Sequence, residues 1–212
     1  MAPTSSLPVV ETFHSLQGEG LHAGRSAFFI RLAGCGVGCP WCDTRQSWRA
    51  AAHPDRPLAA RAEEAKAAAA AGAAFVVITG GEPLEHDLGP LCEALAPAGL
   101  PLHLETSGAA PLGLSGRFSW ITLSPKRHRP PAGPLLAACH ELKVVVAGAD
   151  DLPFAEAMAA RALAAAADRP APALLLQPCW DEPEGQRLAI EHVRRHPAWR
   201  LSLQSHKWLG VR

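Results

Sequence analysis

Ala27-Phe-Phe-Ile-Arg-Leu-Ala33 runs directly into Gly34-Cys35-Gly-Val-Gly-Cys39-Pro-Trp-Cys42-Asp-Thr44. An apolar, β-favouring run that ends in a glycine-rich loop of thiols reads as a strand delivering chemistry at its carboxyl end. Similar runs recur at Phe75–Thr79, Leu102–Thr106, Phe118–Ser124, Leu142–Ala147, Leu174–Gln177 and Leu201–Ser205. Helical stretches lie between several of them. Leu58–Ala71 is rich in Ala, Glu, Lys and Arg and stops at Gly72, and Pro90–Ala96 is bounded by prolines. A helix from Pro153, capped by Asp151, is expected to run to about Ala167, and Gly185–His196 ends at Pro197. Strand alternating with helix predicts an α/β fold with a mostly parallel sheet and right-handed crossovers. Ser107–Arg117 and Arg127–Ala138 are crowded with Gly and Pro and cannot hold helices of usual length. The expected architecture is therefore an incomplete β/α barrel or sheet with some crossover helices missing. Neither a linker nor a repeat interrupts the pattern, so residues 1–212 are expected to form a single domain.

Composition narrows the function classes. The chain has 212 residues, 48% hydrophobic and 19% charged, with 20 Lys and Arg against 20 Asp and Glu. Balanced charge without like-charged blocks offers no footprint for a nucleic-acid backbone or an anionic membrane. The amino-terminal Met-Ala-Pro-Thr-Ser-Ser-Leu-Pro-Val-Val lacks a charged segment followed by an apolar one, and no run is apolar enough to span a bilayer. A cytoplasmic location is expected. Six cysteines, three of them within the eight residues from Cys35 to Cys42, do not resemble a secreted disulfide framework.

Polar residues gather where the expected strands end. Cys35 follows the first, Thr79-Gly80-Gly81-Glu82 the second, Glu105-Thr106-Ser107 the third and Ser124-Pro125-Lys126 the fourth. Gln177-Pro178-Cys179-Trp180 and Gln204-Ser205-His206-Lys207 follow two later strands. In α/β barrels and open α/β sheets ligands bind at the carboxyl ends of strands, so these groups are expected to converge on one site. A single polar strand end would mark only a loop; a series headed by cysteines favours a site.

Three thiols on one tight loop of an intracellular chain point to metal. A structural zinc normally takes four protein ligands, and no fourth Cys or His follows at conventional spacing. Cys92, beside Leu91 and Leu95, and Cys139, before a strand, read as packing residues, while Cys179 sits at a site-facing strand end. A four-iron cubane held by three thiolates has one iron open. The spacing, with an aromatic residue before the third cysteine, resembles the signature of the radical S-adenosylmethionine superfamily. Gly80-Gly81-Glu82-Pro83 resembles the element that receives the amino group of S-adenosylmethionine.

The resemblance narrows along the whole chain. Phe13-His-Ser-Leu16-Gln17-Gly18-Glu19-Gly20, Phe29-Ile-Arg31-Leu-Ala-Gly-Cys35, Trp41-Cys42-Asp43-Thr44, Ser124-Pro125-Lys126, Glu141-Leu-Lys143-Val-Val145, Leu176-Gln177-Pro178 and Leu203-Gln-Ser-His206-Lys207 occur in that order. Together they resemble the 7-carboxy-7-deazaguanine synthase family. That resemblance implies a partial TIM-like barrel and a lyase acting in 7-deazapurine and queuosine biosynthesis. The implied reaction converts 6-carboxy-5,6,7,8-tetrahydropterin to 7-carboxy-7-deazaguanine with loss of ammonia, beginning with hydrogen abstraction at C6 by a 5′-deoxyadenosyl radical.

The resemblance also implies roles for residues. Cys35, Cys39 and Cys42 would hold a 4Fe-4S cluster and Thr44 a magnesium ion. Trp41, Cys42, Asp43, Gly81, Glu82, Ser124, Pro125, Lys126, Gln177, Pro178, Cys179 and Trp180 would surround S-adenosylmethionine. Leu16, Gln17, Gly18, Arg31, Thr79 and Arg212 would meet the substrate. It further implies an electron donor such as flavodoxin or ferredoxin, and a homodimer.

Elementary chemistry sits beside these assignments. An arginine within an apolar strand needs an anion, so Arg31 meets either a substrate carboxylate or Glu11 or Glu19. Thr44 alone reads as a helix N-cap, and Gln17-Gly-Glu-Gly alone reads as a turn. Glu105 and His206 could shuttle protons, but a histidine at a strand end is more often structural, so neither is counted among the site residues. Relatives of the resembled family often carry Asn after the first cysteine and a bulkier basic residue before the second, where this chain has Gly36 and Gly38. The family places the carboxylate of its last residue on the substrate, which makes Arg212 the corresponding candidate. The rival readings are another small radical enzyme, such as an activase of glycyl-radical enzymes, and a non-catalytic zinc or iron–sulfur module.

Overall fold

Side chains alternate between the two faces of a strand, and this chain uses the alternation to separate a core from a site. The computed structural model describes residues 5–110, 114–166 and 169–212. Its strands are β1 (Ser6–Leu16), β2 (Ser26–Leu32), β3 (Asp55–Pro57), β4 (Val76–Gly80), β5 (Leu102–Thr106), β6 (Trp120–Leu123), β7 (Glu141–Val146), β8 (Ala173–Pro178) and β9 (Trp199–Leu201). They form one sheet in the order β3-β1-β2-β4-β5-β6-β7-β8-β9. From β2 to β9 every pairing is parallel, while β1 runs antiparallel to both β2 and β3. The sheet is not closed, since β3 and β9 are its edges. The expected α/β architecture of an incomplete, mostly parallel barrel is therefore what the chain adopts.

Helices α1 (Leu58–Ala70), α2 (Gly89–Leu95), α3 (Gly133–Ala138), α4 (Asp151–Ala166) and α5 (Pro183–Arg195) follow strands in turn, and α6 (Ser205–Leu209) follows β9. Phe28, Ile30 and Leu32 of β2, Val76 and Ile78 of β4, Leu104 of β5, Leu142, Val144 and Val146 of β7, and Leu174 and Leu176 of β8 join the main core with the helices. The intervening residues point to the other face. There Arg31, Thr79, Glu105, Thr122, Lys143 and Gln177 line a cavity. One residue of offset thus divides an aliphatic core from a polar wall.

The sequence reading departs from the structure in a few places. β1 is unforeseen, because Pro8 and the polar Glu11, Thr12, His14 and Ser15 interrupt its apolar pattern. A strand paired on both sides by antiparallel neighbours can hold such residues. The connection after β6 does not depart from the sequence reading: the helix there is only the six-residue α3, entered through Gly133 and Pro134. The last strand is Trp199–Leu201, not Leu201–Ser205; Ser205 instead opens α6, so Gln204 and His206 arrive from a turn and a helix. Asp151 does not cap its own helix: its Oδ2 accepts the Ala147 and Gly148 amides and ties α4 back to the end of β7. The expected end of that helix at Ala167 lies outside the described residues, as do 111–113 of the helix-poor connection after β5.

At the amino ends of the parallel strands the inner face is closed by rings. His22, on the turn Gly20–His22, lies 4.7 Å from His103 and 4.5 Å from Trp120, while His103 stacks on Phe75 at 4.1 Å. Burial, with His22, Arg25 and His140 nearby, holds the His103 imidazolium down to about 3, and burial lowers His22 and His140 as well. The unfolded chain binds protons here at a pH where the folded chain does not. Stability should therefore be fully present above about pH 6.5, the ordinary histidine value, and fall as pH drops toward 3. Urea midpoints measured across that window should fall with acidity, and His103→Phe should flatten the dependence.

Candidate active site

The cysteine loop leaves the end of β2 and is held mainly through its backbone, as suits a segment with few side chains of its own. The Gly34 amide donates to Ser47 O at 2.7 Å, and the Cys35 amide to Trp48 O at 3.1 Å. Glu85 Oε1 accepts the Gly36 amide at 2.6 Å, and His128 Nε2 donates to Val37 O at 3.1 Å. Arg129 donates to Gly36 O and Arg45 to Pro40 O. The loop around Gly36 is thus braced through its backbone by donors and acceptors from other segments.

Cys35, Cys39 and Cys42 are each partly buried and all line one cavity of about 750 Å³. Burial pushes the Cys35 and Cys39 thiols up, and the positive charge of Lys126 partly opposes this at Cys39. Cys42 Sγ accepts a hydrogen bond from Trp48 Nε1 at 3.3 Å, an interaction that favours an electron-rich sulfur. Among the described residues no three His, Cys, Asp or Glu side chains converge as a single ion would require. A cubane presents its irons at separate corners, so three thiols spread along a cavity wall fit its donor set. Thr44 occupies the N-cap position of the following Arg45–Trp48 turn, as expected, but its side chain makes no cap bond and its Oγ1 lies 3.7 Å from Cys42 Sγ.

Next to the loop, a side chain on Gly81 would overlap the Gly34 carbonyl and press on Cys35 Cβ. Glycine here lets the end of β4 touch the cysteine loop. Glu82 is buried, and both carboxylate oxygens are occupied: Oε1 by Leu84 N and Thr106 Oγ1, Oε2 by Ser107 N and Ser107 Oγ. Its carboxylate pins the end of β5 to the end of β4, whereas Gly81 and Glu82 still line the cavity.

The other expected residues fall into the same cavity, with one exception. Trp41, Asp43, Ser124, Lys126, Gln177, Pro178, Cys179 and Trp180 line it, whereas Pro125 is buried away from it. Lys126 Nζ donates to Ser124 Oγ at 2.7 Å, and burial pulls the Lys126 ammonium down. Gln177 Oε1 accepts Ser202 Oγ at 2.9 Å. Leu16, Gln17, Gly18, Arg31, Thr79 and Arg212 also line the cavity. Gln17 Nε2 donates to Glu105 Oε1 at 2.8 Å and Thr79 Oγ1 to Glu105 Oε2 at 2.9 Å. Arg31 Nε donates to Glu11 Oε1 at 3.0 Å, and Arg212 Nη2 reaches Glu11 Oε2 at 2.8 Å. Of the two carboxylates expected for Arg31, Glu11 is the one engaged.

Several contributors lie outside the set of site residues assigned from the sequence, although Glu105 and His206 are considered there for proton transfer. Glu105 joins Gln17 to Thr79, and His206 packs so closely on Gly18 that a side chain there would strike its ring. Lys143 forms an ion pair with Glu19, and Gln204 Nε2 donates to Glu19 Oε1 at 2.9 Å. Burial acts against both charges. The pair prevails, holding Glu19 down at about 2 and Lys143 well above the usual lysine range. Lys207 Nζ meets Asp43 Oδ2 at 2.8 Å and lies 5.0 Å from the Trp180 ring centre, at the cavity mouth. A usable signal was present: Lys143 and Glu141 interrupt an otherwise apolar strand just as Arg31 does.

A parallel α/β sheet whose first parallel strand ends in a three-cysteine loop above a polar cavity defines a radical S-adenosylmethionine enzyme, and residues 29–115 match the model of the Radical SAM superfamily. The chain is 50% identical to a 7-carboxy-7-deazaguanine synthase of Prochlorococcus marinus, over 98% of this chain and 99% of that one. It is 49% identical to one from Synechocystis, over 99% of this chain and 95% of the other. The crystal structure of QueE from Escherichia coli superposes with a TM-score of 0.77 at 32% identity, covering 95% of each chain. This chain belongs to the 7-carboxy-7-deazaguanine synthase family, whose members are lyases.

Replacing Glu82 with Ala strands buried donors of Leu84, Thr106 and Ser107. Each unsatisfied buried group costs about 1–3 kcal/mol. Glu82→Ala should therefore lower the urea midpoint of the cofactor-free protein, separating its structural role from any cofactor contact.

Proposed function

We propose that this chain converts 6-carboxy-5,6,7,8-tetrahydropterin to 7-carboxy-7-deazaguanine with release of ammonia, as a magnesium-dependent enzyme. The observation that carries this reading is one cavity lined both by the cysteine loop with Thr44 and by Gln17, Arg31, Thr79 and Glu105. Cys35, Cys39 and Cys42 would hold the 4Fe-4S cluster, with Gly81, Lys126 and Gln177 beside S-adenosylmethionine. When bound, these two groups supply the radical that removes a hydrogen from the substrate.

The chain's own residues then bind, orient and exclude water. The substrate carboxylate would draw on Arg31, whose guanidinium has donors beyond the one given to Glu11. Glu105 has accepted two hydrogen bonds, and a carboxylate offers about four acceptor sites, so it can take N–H groups from the edge of a flat heterocycle. Gln17 and Thr79 hold that carboxylate in place. The Thr44 hydroxyl, which makes no cap bond, supports a magnesium site completed by substrate and water, since magnesium takes few protein oxygens. His206, which lines the same cavity beside Gly18, would serve in proton transfer.

The same reading includes a single domain, a homodimer, a cytoplasmic location and a low-potential electron donor such as flavodoxin or ferredoxin. Among the described residues no helix is long and apolar enough to cross a membrane.

The deciding assay gives reconstituted, reduced protein S-adenosylmethionine, magnesium and the carboxytetrahydropterin. The expected result is 7-carboxy-7-deazaguanine with ammonia; cofactor cleavage without that product would overturn the substrate assignment. Arg31→Met should lower kcat/KM roughly 10- to 100-fold, chiefly through KM, because a charged hydrogen bond is worth about 1.5–3 kcal/mol.

A further inference from the structure

Trp48 follows Cys42 by six residues and closes the turn that supports the cysteine loop. Its backbone carbonyl accepts the Cys35 amide at 3.1 Å, and its indole Nε1 donates to Cys42 Sγ at 3.3 Å. Trp48 therefore holds the backbone of the first cysteine through its own carbonyl and the thiol of the third through its indole. The Arg45 guanidinium lies 5.8 Å from the Trp48 ring centre, within cation–π range. Arg45 is itself fixed to the Pro40 carbonyl, inside the cysteine loop. A cation on the face of an indole draws electron density from it and makes its N–H a stronger donor.

We infer that Trp48, backed by Arg45, is a positioning residue that sets the reduction potential of the group held by Cys35, Cys39 and Cys42. The inference rests on those thiols binding a 4Fe-4S cluster. Adding one electron makes such a cluster more negative, and the added charge falls partly on the sulfurs. A donor aimed at a ligand sulfur stabilises the reduced form more than the oxidised form, so it raises the potential. Indole N–H is donor only, so the direction of the bond is not ambiguous. No proton is transferred, and the electron comes from dithionite in the test below.

The other two ligand sulfurs are served differently. Cys35 is approached by the Val37 and Gly38 amides, which belong to the loop itself, and Cys39 faces the charge of Lys126. Cys42 Sγ accepts a hydrogen bond from a side chain outside the cysteine loop, with the Thr44 hydroxyl more distant at 3.7 Å. A substitution at Trp48 thus removes that bond while sparing the backbone contact to Cys35.

The test is an anaerobic potentiometric titration with dithionite, read by electron paramagnetic resonance, alongside iron and sulfide content. Trp48→Phe keeps the ring and removes the donor. Its cluster content should match the parent protein while its midpoint potential moves negative. Arg45→Gln should move the potential in the same direction by less. Hydrogen-to-deuterium exchange should reveal exchangeable protons coupled to the reduced cluster, one of which Trp48→Phe removes; if that variant loads poorly, Arg45→Gln, which keeps the indole donor, carries the test through its potential. Normal cluster content with an unmoved potential, or an unchanged proton coupling, would overturn the inference alone. A parent protein that takes up no four-iron cluster would overturn the ligand reading with it.

Discussion

Glu19 and Lys143 hold opposite charges against each other on the inner face of the sheet, where neither could remain ionised alone. The mouth of the site is arranged around this pair. Lys143 rises from the middle of β7, Glu19 comes from the turn after β1, and Gln204 reaches Glu19 from the segment before α6. Gln204 and Lys207 then extend the network to Asp43, next to the third cysteine. Segments at sequence positions 19, 43, 143 and 204 are joined by polar contacts whose strength depends on exclusion of water. An apolar pair of similar volume could stabilise the sheet as well, but it would not fix the direction from which the carboxyl-terminal segment closes the mouth.

A second network works at the strand ends and divides two nearby carboxylates by role. Glu82 is saturated by neighbours on β5 and its own turn, so it acts as a fastener between strands. Glu105 is held by Gln17 and Thr79 and retains acceptor capacity toward the cavity. Both lie at carboxyl ends of parallel strands, and residue type alone does not separate them. The difference comes from which donors the register brings within reach: β5 places Glu105 on the cavity face, while the turn after β4 folds Glu82 inward.

The cysteine loop depends on both networks and on a third set of contacts to its own backbone. Glycine at positions 36 and 38 removes side chains that could have braced it. Glu85, His128 and Arg129 take up that function through the Gly36 amide, the Val37 carbonyl and the Gly36 carbonyl. Backbone bracing leaves the thiols free to face the cavity, which is the requirement for holding a cluster on one side of a ligand site.

Much of this was legible in the sequence because it depends on local chemistry. The alternating strands and helices, the cysteine spacing, the glycine pair after β4 and the recurrence of polar residues after strands predict the sheet and its reactive edge. An unneutralised Arg31 in an apolar strand announced an anion, although only the fold selected Glu11. The antiparallel β1 and the change from strand to helix at Ser205 were hidden, since weak local patterns there are overridden by pairing and packing. Residue identity along the chain sets which side chains can carry charge, bind metal or tolerate close backbone approach. Which of them meet is set by the fold, because hydrogen bonds act over about 3 Å while Glu19 and Gln204 are 185 residues apart.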